Sequence, residues 1–246
     1  MEQRFALFID VMGVQQLTSV SPEDVEAKFA ACQEHLADFH SDLASTIERD
    51  QLLISLVEPP VSPLSFVAEF SDAAYLVSRS FATVAASGIM MMRRALRHRY
   101  PLRGGIGFGS FSHETSGVRA ASDNLVWSTS SFLGEAVVTA YQGERCRTPG
   151  LRIFVHDAAM QRTYEPLLST YTMPLPADEV TEECKHELRL WISIEAAAAY
   201  EQLMAFRNSQ DLTPRARRHY DAAGEAYLRC EAVPGILPAI GPALWL

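Results

Sequence analysis

Two apolar runs, residues 64–70 and 73–78, are separated only by Ser71-Asp72. So short a connection allows one arrangement, a pair of antiparallel strands joined by a tight turn. Ahead of this hairpin, residues 5–9 (FALFI) form a short aromatic and aliphatic run that stops at Asp10, the pattern of a buried strand. Ser21-Pro22-Glu23-Asp24 then supplies an N-cap, a proline at the first helical position and acids in the first turn. Val25, Phe29, Cys32, Leu36 and Phe39 continue that helix to about Glu48. Residues 51–57 read as a strand or an extended connection, and the following EPPVSP as a loop.

Beyond the hairpin, residues 81–98 read as a helix whose methionines (Met90, Met91, Met92) serve as core filler. Residues 102–109 (LRGGIGFG) read as a strand whose glycines invite close approach by another backbone. A short helix over 134–145 and a strand over 152–155 follow, with His156 and Asp157 in a turn. From Ile194 the pattern is helical, broken near Thr213-Pro214-Arg215, and an apolar Pro/Gly-rich stretch closes the chain. Strand, helix, strand, strand, helix, strand is the split βαβ order. The predicted fold class is therefore α+β: a ferredoxin-like βαββαβ core, antiparallel, with helices on one face. Residues 1–190 form this core and 191–246 a helical C-terminal extension packed on the core or on a dimer.

That order decides where two acids go. The first and third strands become antiparallel neighbours roughly 4.8 Å apart, so Asp10 and Asp72 fall at the same end of the sheet. Two facing carboxylates repel unless a cation lies between them, and Mg²⁺ or Mn²⁺ suits oxygen ligands of this kind. Two such ions about 3.5–4 Å apart clamp the attacking and leaving oxygens of a phosphoryl displacement. After Asp10 the chain turns at once through Gly13, Val14 and Gln15, a cradle of backbone N–H groups suited to a triphosphate. For either acid alone the plainer alternative is a turn or capping residue.

Four blocks resemble one family. FIDVMGVQQL, FSDAAYLV, LRGGIGFGSF and FLGEAVVTAYQGERC are similar, in that order, to the conserved segments of class III nucleotidyl cyclases. They look most like the bacterial pyrimidine cyclases of Pycsar anti-phage systems. The resemblance implies metal ligation by Asp10, Asp72 and the backbone carbonyl of Val11, and a homodimer whose sites are built from both protomers. It implies conversion of UTP, or less favoured CTP, to the 3′,5′-cyclic monophosphate, a messenger for a separate effector. Three positions depart from the family: Val138 replaces its asparagine, Gln142 its transition-state arginine and Ala68 its purine-reading lysine. On this reading Arg103 contacts substrate. Tyr141 stacks on the base or belongs to the core. Arg145 and Arg147 are candidates to replace the missing arginine, and Phe66 and Ala68 line a base pocket. The rival expectation is a degenerate cyclase-like domain that senses a nucleotide or pairs with a partner.

Composition enters as an exclusion. Thirty acidic against twenty-one basic residues give a net charge of −9, which argues against partners that need a basic face, duplex DNA or an anionic membrane. Diguanylate cyclases share the palm, but their hairpin carries Gly-Gly-Asp/Glu-Glu-Phe where this one reads Glu-Phe-Ser-Asp. No apolar stretch reaches the ~18 residues of a membrane helix. Cys32, Cys146, Cys184 and Cys230 lie far apart in sequence, as reduced thiols do. A cytoplasmic location is expected.

Overall fold

The computed structural model describes residues 1–12, 22–54, 62–119, 126–146, 149–191, 193–210 and 212–232. Gly13, Val14, Gln15, Ser21, Arg147 and the closing apolar stretch lie outside them. β1 (Glu2–Val11), α1 (Pro22–Ile54), β2 (Leu64–Glu69), β3 (Ala73–Ser78), α2 (Phe81–His98) and β4 (Leu102–Arg119) follow in the expected order. After them come β5 (Val126–Leu133), α3 (Glu135–Glu144), β6 (Ile153–His156), α4 (Asp157–Met160) and α5 (Glu165–Tyr171). The described chain ends with β7 (Thr172–Pro174), β8 (Cys184–Leu188), α6 (Ser193–Asn208) and α7 (Pro214–Ala232).

The protein is a mixed α/β structure on a mostly antiparallel sheet ordered β2-β3-β1-β4-β6-β8-β7, with β5 paired to β4. β1 lies antiparallel between β3 and β4, and β6 runs parallel to β4. Two expectations change. Residues 51–54 belong to α1, which after its opening Pro22 meets no glycine or proline up to Ile54; the rest of that expected strand lies outside the described residues. The glycine-rich strand also runs on to Arg119, because β5 pairs with its second half.

Alternation along β1 builds both faces. Phe5, Leu7, Ile9 and Val11 pack with Phe39 and Leu43 of α1 and Val84, Ile89, Met91 and Met92 of α2. Ala6 and Phe8 point the other way, to Tyr75 and Val77 of β3 and Ala136 and Ala140 of α3. Helices therefore cover both faces, and the expectation of one covered face is wrong. The reason is in β4. Gly105, Gly107 and Gly109 alternate along one face, leaving no side chains there, and α3 lies directly on the bare backbone. A methyl carbon on Gly105 would fall 2.2 Å from the Glu144 nitrogen, and one on Gly107 2.2 Å from the Ala140 nitrogen. The Thr139 hydroxyl adds a clasp, accepting from Phe108 N–H at 3.1 Å.

The ends of α2 follow from local chemistry. The Ser80 hydroxyl accepts from Thr83 N–H at 3.3 Å, and Arg99 closes the helix in the left-handed region. α6 and α7 join the same apolar core through Ala199, Leu203, Phe206, Tyr220, Ala223 and Tyr227. The four cysteines are free thiols. Among the described residues no helix is long and apolar enough to cross a membrane.

One buried carboxylate fastens α1 to α2 and to the entry of β4. Asp42, 1 % exposed, accepts from Tyr100 Oη at 2.9 Å, pairs with His98 Nδ1 at 2.9 Å and accepts from Arg94 Nη1 at 3.2 Å. Asp42→Asn removes the charge and leaves these donors under-satisfied. It should lower unfolding free energy in urea by about 1.5–3 kcal/mol, whereas a change below 0.5 kcal/mol would make the cluster ornamental.

Candidate functional site

The end of β1 is held by two backbone hydrogen bonds: Val11 N–H donates to the Asp72 carbonyl and Met12 N–H to the Pro101 carbonyl, both at 2.8 Å. In register, Asp10 stands opposite Ala73 on one side and Arg103 on the other. The sheet thus brings Asp10 and Asp72 to one end, as the sequence predicts. Asp72 accepts from its neighbour Ser71 Oγ at 3.1 Å. The hairpin closes through Phe70 N–H donating to the Ala73 carbonyl at 2.7 Å.

Asp10 shares its face with Ala6 and Phe8, the face that α3 covers. The C-terminal turn of α3 therefore arrives beside it. Burial first, then the like charges of Glu144 and Asp72, push the Asp10 carboxyl up to about 7, against the pull of Arg145 and Arg103. Burial also raises Glu144. Tyr75 of β3, pushed up to about 12 by burial and by Tyr141 and Glu144, adds a phenol to the same corner. Asp10 thus lies within electrostatic reach of Asp72 and Glu144, and Tyr75 within reach of Tyr141 and Glu144. Glu144 and Tyr75 are the members that sequence reasoning missed. One signal was available for Glu144: an acid in the last turn of a helix opposes the helix dipole, so its placement there calls for another reason.

Arg103 is placed differently from expectation. It is buried beneath α3, with Nη2 donating to the Cys146 carbonyl at 2.7 Å and Nε 3.5 Å from Glu144 Oε1. Its guanidinium lies 5.0 Å over the Phe154 ring. These contacts hold the end of α3 rather than reaching into solvent. Tyr141 is not core: it is 39 % exposed, its ring edge meets Phe8 at 5.6 Å, and Arg145 lies 5.0 Å over it. Arg145 is itself mostly solvated, 4.0 Å from Glu144. Val138 and Gln142 both stand on the exposed side of α3.

Phe66 is packed among Phe111, His113 and Phe132, and Ala68 lies against the same cluster. Phe70 and Leu133 extend this surface outward, 46 % and 61 % exposed. The face beside the acids is thus apolar and aromatic, with its outer members open. His156 ends β6 and caps α4 by accepting from Ala158 N–H at 3.1 Å, and Asp157 opens α4 and pairs with Lys185, so the expected turn is a direct strand-to-helix junction.

Among the described residues no group of three or more His, Cys, Asp or Glu side chains converges into a ready metal cage. The donor set is instead Asp10 at the end of β1 and Asp72 in the hairpin turn, tied together by the Val11–Asp72 backbone hydrogen bond. That fits a hard divalent cation completing its shell from backbone, water and substrate oxygens. No protein-family model matches the chain, and no curated protein matches it.

Proposed function

We propose that the protein is a pyrimidine nucleotide cyclase of the class III type, acting on UTP in preference to CTP from a cytoplasmic, homodimeric enzyme. The observation that carries this reading is the juxtaposition of Asp10 and Asp72, locked by the Val11–Asp72 backbone hydrogen bond. The ferredoxin-like assignment is supported by the β2-β3-β1-β4 strand order with α1 and α2 as the crossovers.

Asp10 and Asp72, with the Val11 carbonyl, would hold Mg²⁺ or Mn²⁺, two ions per site, whose chemistry is to lower the pKa of a bound hydroxyl and to neutralise phosphate charge. The ribose 3′-oxygen attacks the α-phosphorus in line; the 3′O–P bond forms, the bond to the β-phosphate bridging oxygen breaks, and pyrophosphate and a proton are released. Asp10 suits this end of the site because its surplus negative charge favours whatever cation the triphosphate brings. Gly13, Val14 and Gln15 are the proposed N–H cradle for the phosphates. Tyr141, exposed on α3, offers a ring face to base or ribose. Arg103 positions α3 by holding Glu144 and Cys146. The open apolar members Phe70, Leu133 and Val138 support a second copy seated on this face.

The second reading, a nucleotide sensor without turnover, is favoured by Val138 and Gln142 standing where the family carries its asparagine and arginine. Incubating the protein with each of the four nucleoside triphosphates and Mn²⁺, followed by chromatography, separates the two. Cyclic UMP or cyclic CMP that vanishes in Asp72→Ala supports the cyclase. Nucleotide binding with no product from any of the four supports the sensor.

A further inference from the structure

Cys146 and Cys184 lie far apart in sequence, yet the fold brings their thiols together. Cys146 follows the last turn of α3, its N–H donating to the Gly143 carbonyl at 3.4 Å and its carbonyl accepting from Arg103 Nη2 at 2.7 Å. Cys184 opens β8 and stands opposite His156 of β6 in register. A turn fixes its backbone: its N–H donates to Thr181 Oγ1 at 3.0 Å, and its carbonyl accepts from Thr181 N–H at 2.9 Å. Phe154 of β6 and Leu175 pack with both cysteines in one small buried cluster. Inside it the Cys184 thiol hydrogen-bonds to the Cys146 sulfur. Two thiols in contact are the starting geometry of a disulfide.

The two sulfurs are not equivalent. Arg103 Nη2 donates to Cys146 Sγ at 3.8 Å, and a guanidinium against sulfur favours the thiolate, the nucleophilic form. Cys184 keeps its proton: the hydrogen bond to Cys146 first, then burial, push that thiol up. Access differs in the same sense. Cys146 is 8 % exposed and Cys184 0 %, so a small solute reaches Cys146 first. The other two cysteines are placed elsewhere. Cys230 lies 4.0 Å from Met173 Sδ and donates to the Ala226 carbonyl at 3.5 Å, and Cys32 stands on α1. Cysteines serving only as small core filler need neither the cation nor the shared hydrogen bond.

We propose that Cys146 and Cys184 form a redox modification site, a dithiol that a peroxide-class oxidant converts to a disulfide clasping the end of α3 to β8. The Cys146 thiolate attacks one peroxide oxygen; the S–O bond forms, the O–O bond breaks, and hydroxide leaves and takes up a proton as water. Cys184 then attacks the sulfur of the Cys146 sulfenic acid. The S–S bond forms, the S–O bond breaks, and the departing hydroxide carries off the Cys184 proton as a second water. The two sulfurs together give up two electrons, which the peroxide accepts. The site is assigned from the geometry of the thiols and does not depend on the cyclase reading. Its consequence falls on α3, because the bond ties the turn that carries Glu144 covalently to the sheet.

The test treats folded wild type, Cys146→Ala and Cys184→Ala with hydrogen peroxide, alkylates the remaining thiols in denaturant and maps the peptides without reduction. In wild type the Cys146 and Cys184 peptides should emerge joined, lighter than their sum by two hydrogen atoms, with Cys32 and Cys230 alkylated. Cys184→Ala should stop at the sulfenic acid on Cys146, which dimedone traps, whereas Cys146→Ala should leave Cys184 as a free thiol. Oxidised and reduced wild type are then compared, the same chain in both states. Closing a loop of roughly 40 residues should raise the thermal midpoint by about 5–10 °C and slow amide exchange over residues 140–146, and dithiothreitol should reverse both. No linkage, a different pairing, or oxidation of Cys32 or Cys230 ahead of this pair overturns the site, as does an oxidised Cys184 in Cys146→Ala. A linked protein that melts no higher than the reduced form, with α3 exchanging equally fast, overturns the clasp.

Discussion

Gly107→Ala is expected to unseat α3 and to destabilise the protein by about 3 kcal/mol or more, at the upper edge of ordinary overpacking. The added carbon would meet the Ala140 nitrogen at 2.2 Å and Thr139 Oγ1 at 2.3 Å. Two of its three closest neighbours are backbone atoms of α3, so no rotamer change relieves the contact. Gly105→Ala meets the Glu144 nitrogen at 2.2 Å and the Ala140 carbonyl oxygen at 2.3 Å, and the same outcome follows. A helix lifted by on the order of 1 Å carries Tyr141 and Glu144 with it, and misplacement of that size costs about a hundredfold in rate where groups must be positioned. Gln142→Ala is the matched control, since Gln142 is exposed on the same helix and such a change is worth about 0.5 kcal/mol or less. Thermal unfolding together with amide exchange over residues 135–144 checks this. A Gly107→Ala protein that melts like wild type, with α3 amides equally protected, would show that the strand and helix are not in the contact described.

These glycines also mark how far the sequence could be read. The hairpin at Ser71-Asp72, the bounds of α2 and the convergence of Asp10 and Asp72 were legible, because each depends on short-range pattern and on one topological rule. Alternating glycines announced that something packs closely, but not which element or which face, since a missing side chain names no partner. β8 was not legible for a different reason. Its sequence, Cys184–Leu188, reads Cys-Lys-His-Glu-Leu, and polar residues of that kind signal surface. Glu187 is fully buried only because Arg152 and Arg229 meet it there, a pairing that joins residues far apart in the chain. β5 hides likewise in a Ser/Thr-rich run that has meaning only beside the second half of β4. Glu144 escaped because a helix-end acid looks solvated until the helix is laid against the strand that carries Asp10.

Asp10→Asn is expected to abolish cyclase activity, by on the order of a thousandfold or more, while making the protein more stable in EDTA at pH 8. Both effects have one cause. Burial and the charges of Glu144 and Asp72 push the Asp10 carboxyl up to about 7, so at pH 8 the folded protein carries a carboxylate that its surroundings disfavour. Between the ordinary carboxyl range near 3.9 and about 7, the folded state holds a proton that the unfolded state has lost. The contribution of Asp10 to stability therefore declines as pH rises through that window and levels off above it. Asparagine carries no charge and escapes the decline. The two proteins should melt alike near pH 4, and the variant should gain on wild type up to pH 8. Millimolar Mn²⁺ should reverse the order, because ligation stabilises wild type by mass action and asparagine is a poor substitute for an anionic ligand. A residue kept in place against its own electrostatic cost is what a functional site requires. An Asp10→Asn protein less stable than wild type at pH 8 in EDTA would instead make Asp10 a structural acid, and full activity in that variant would remove it from the site.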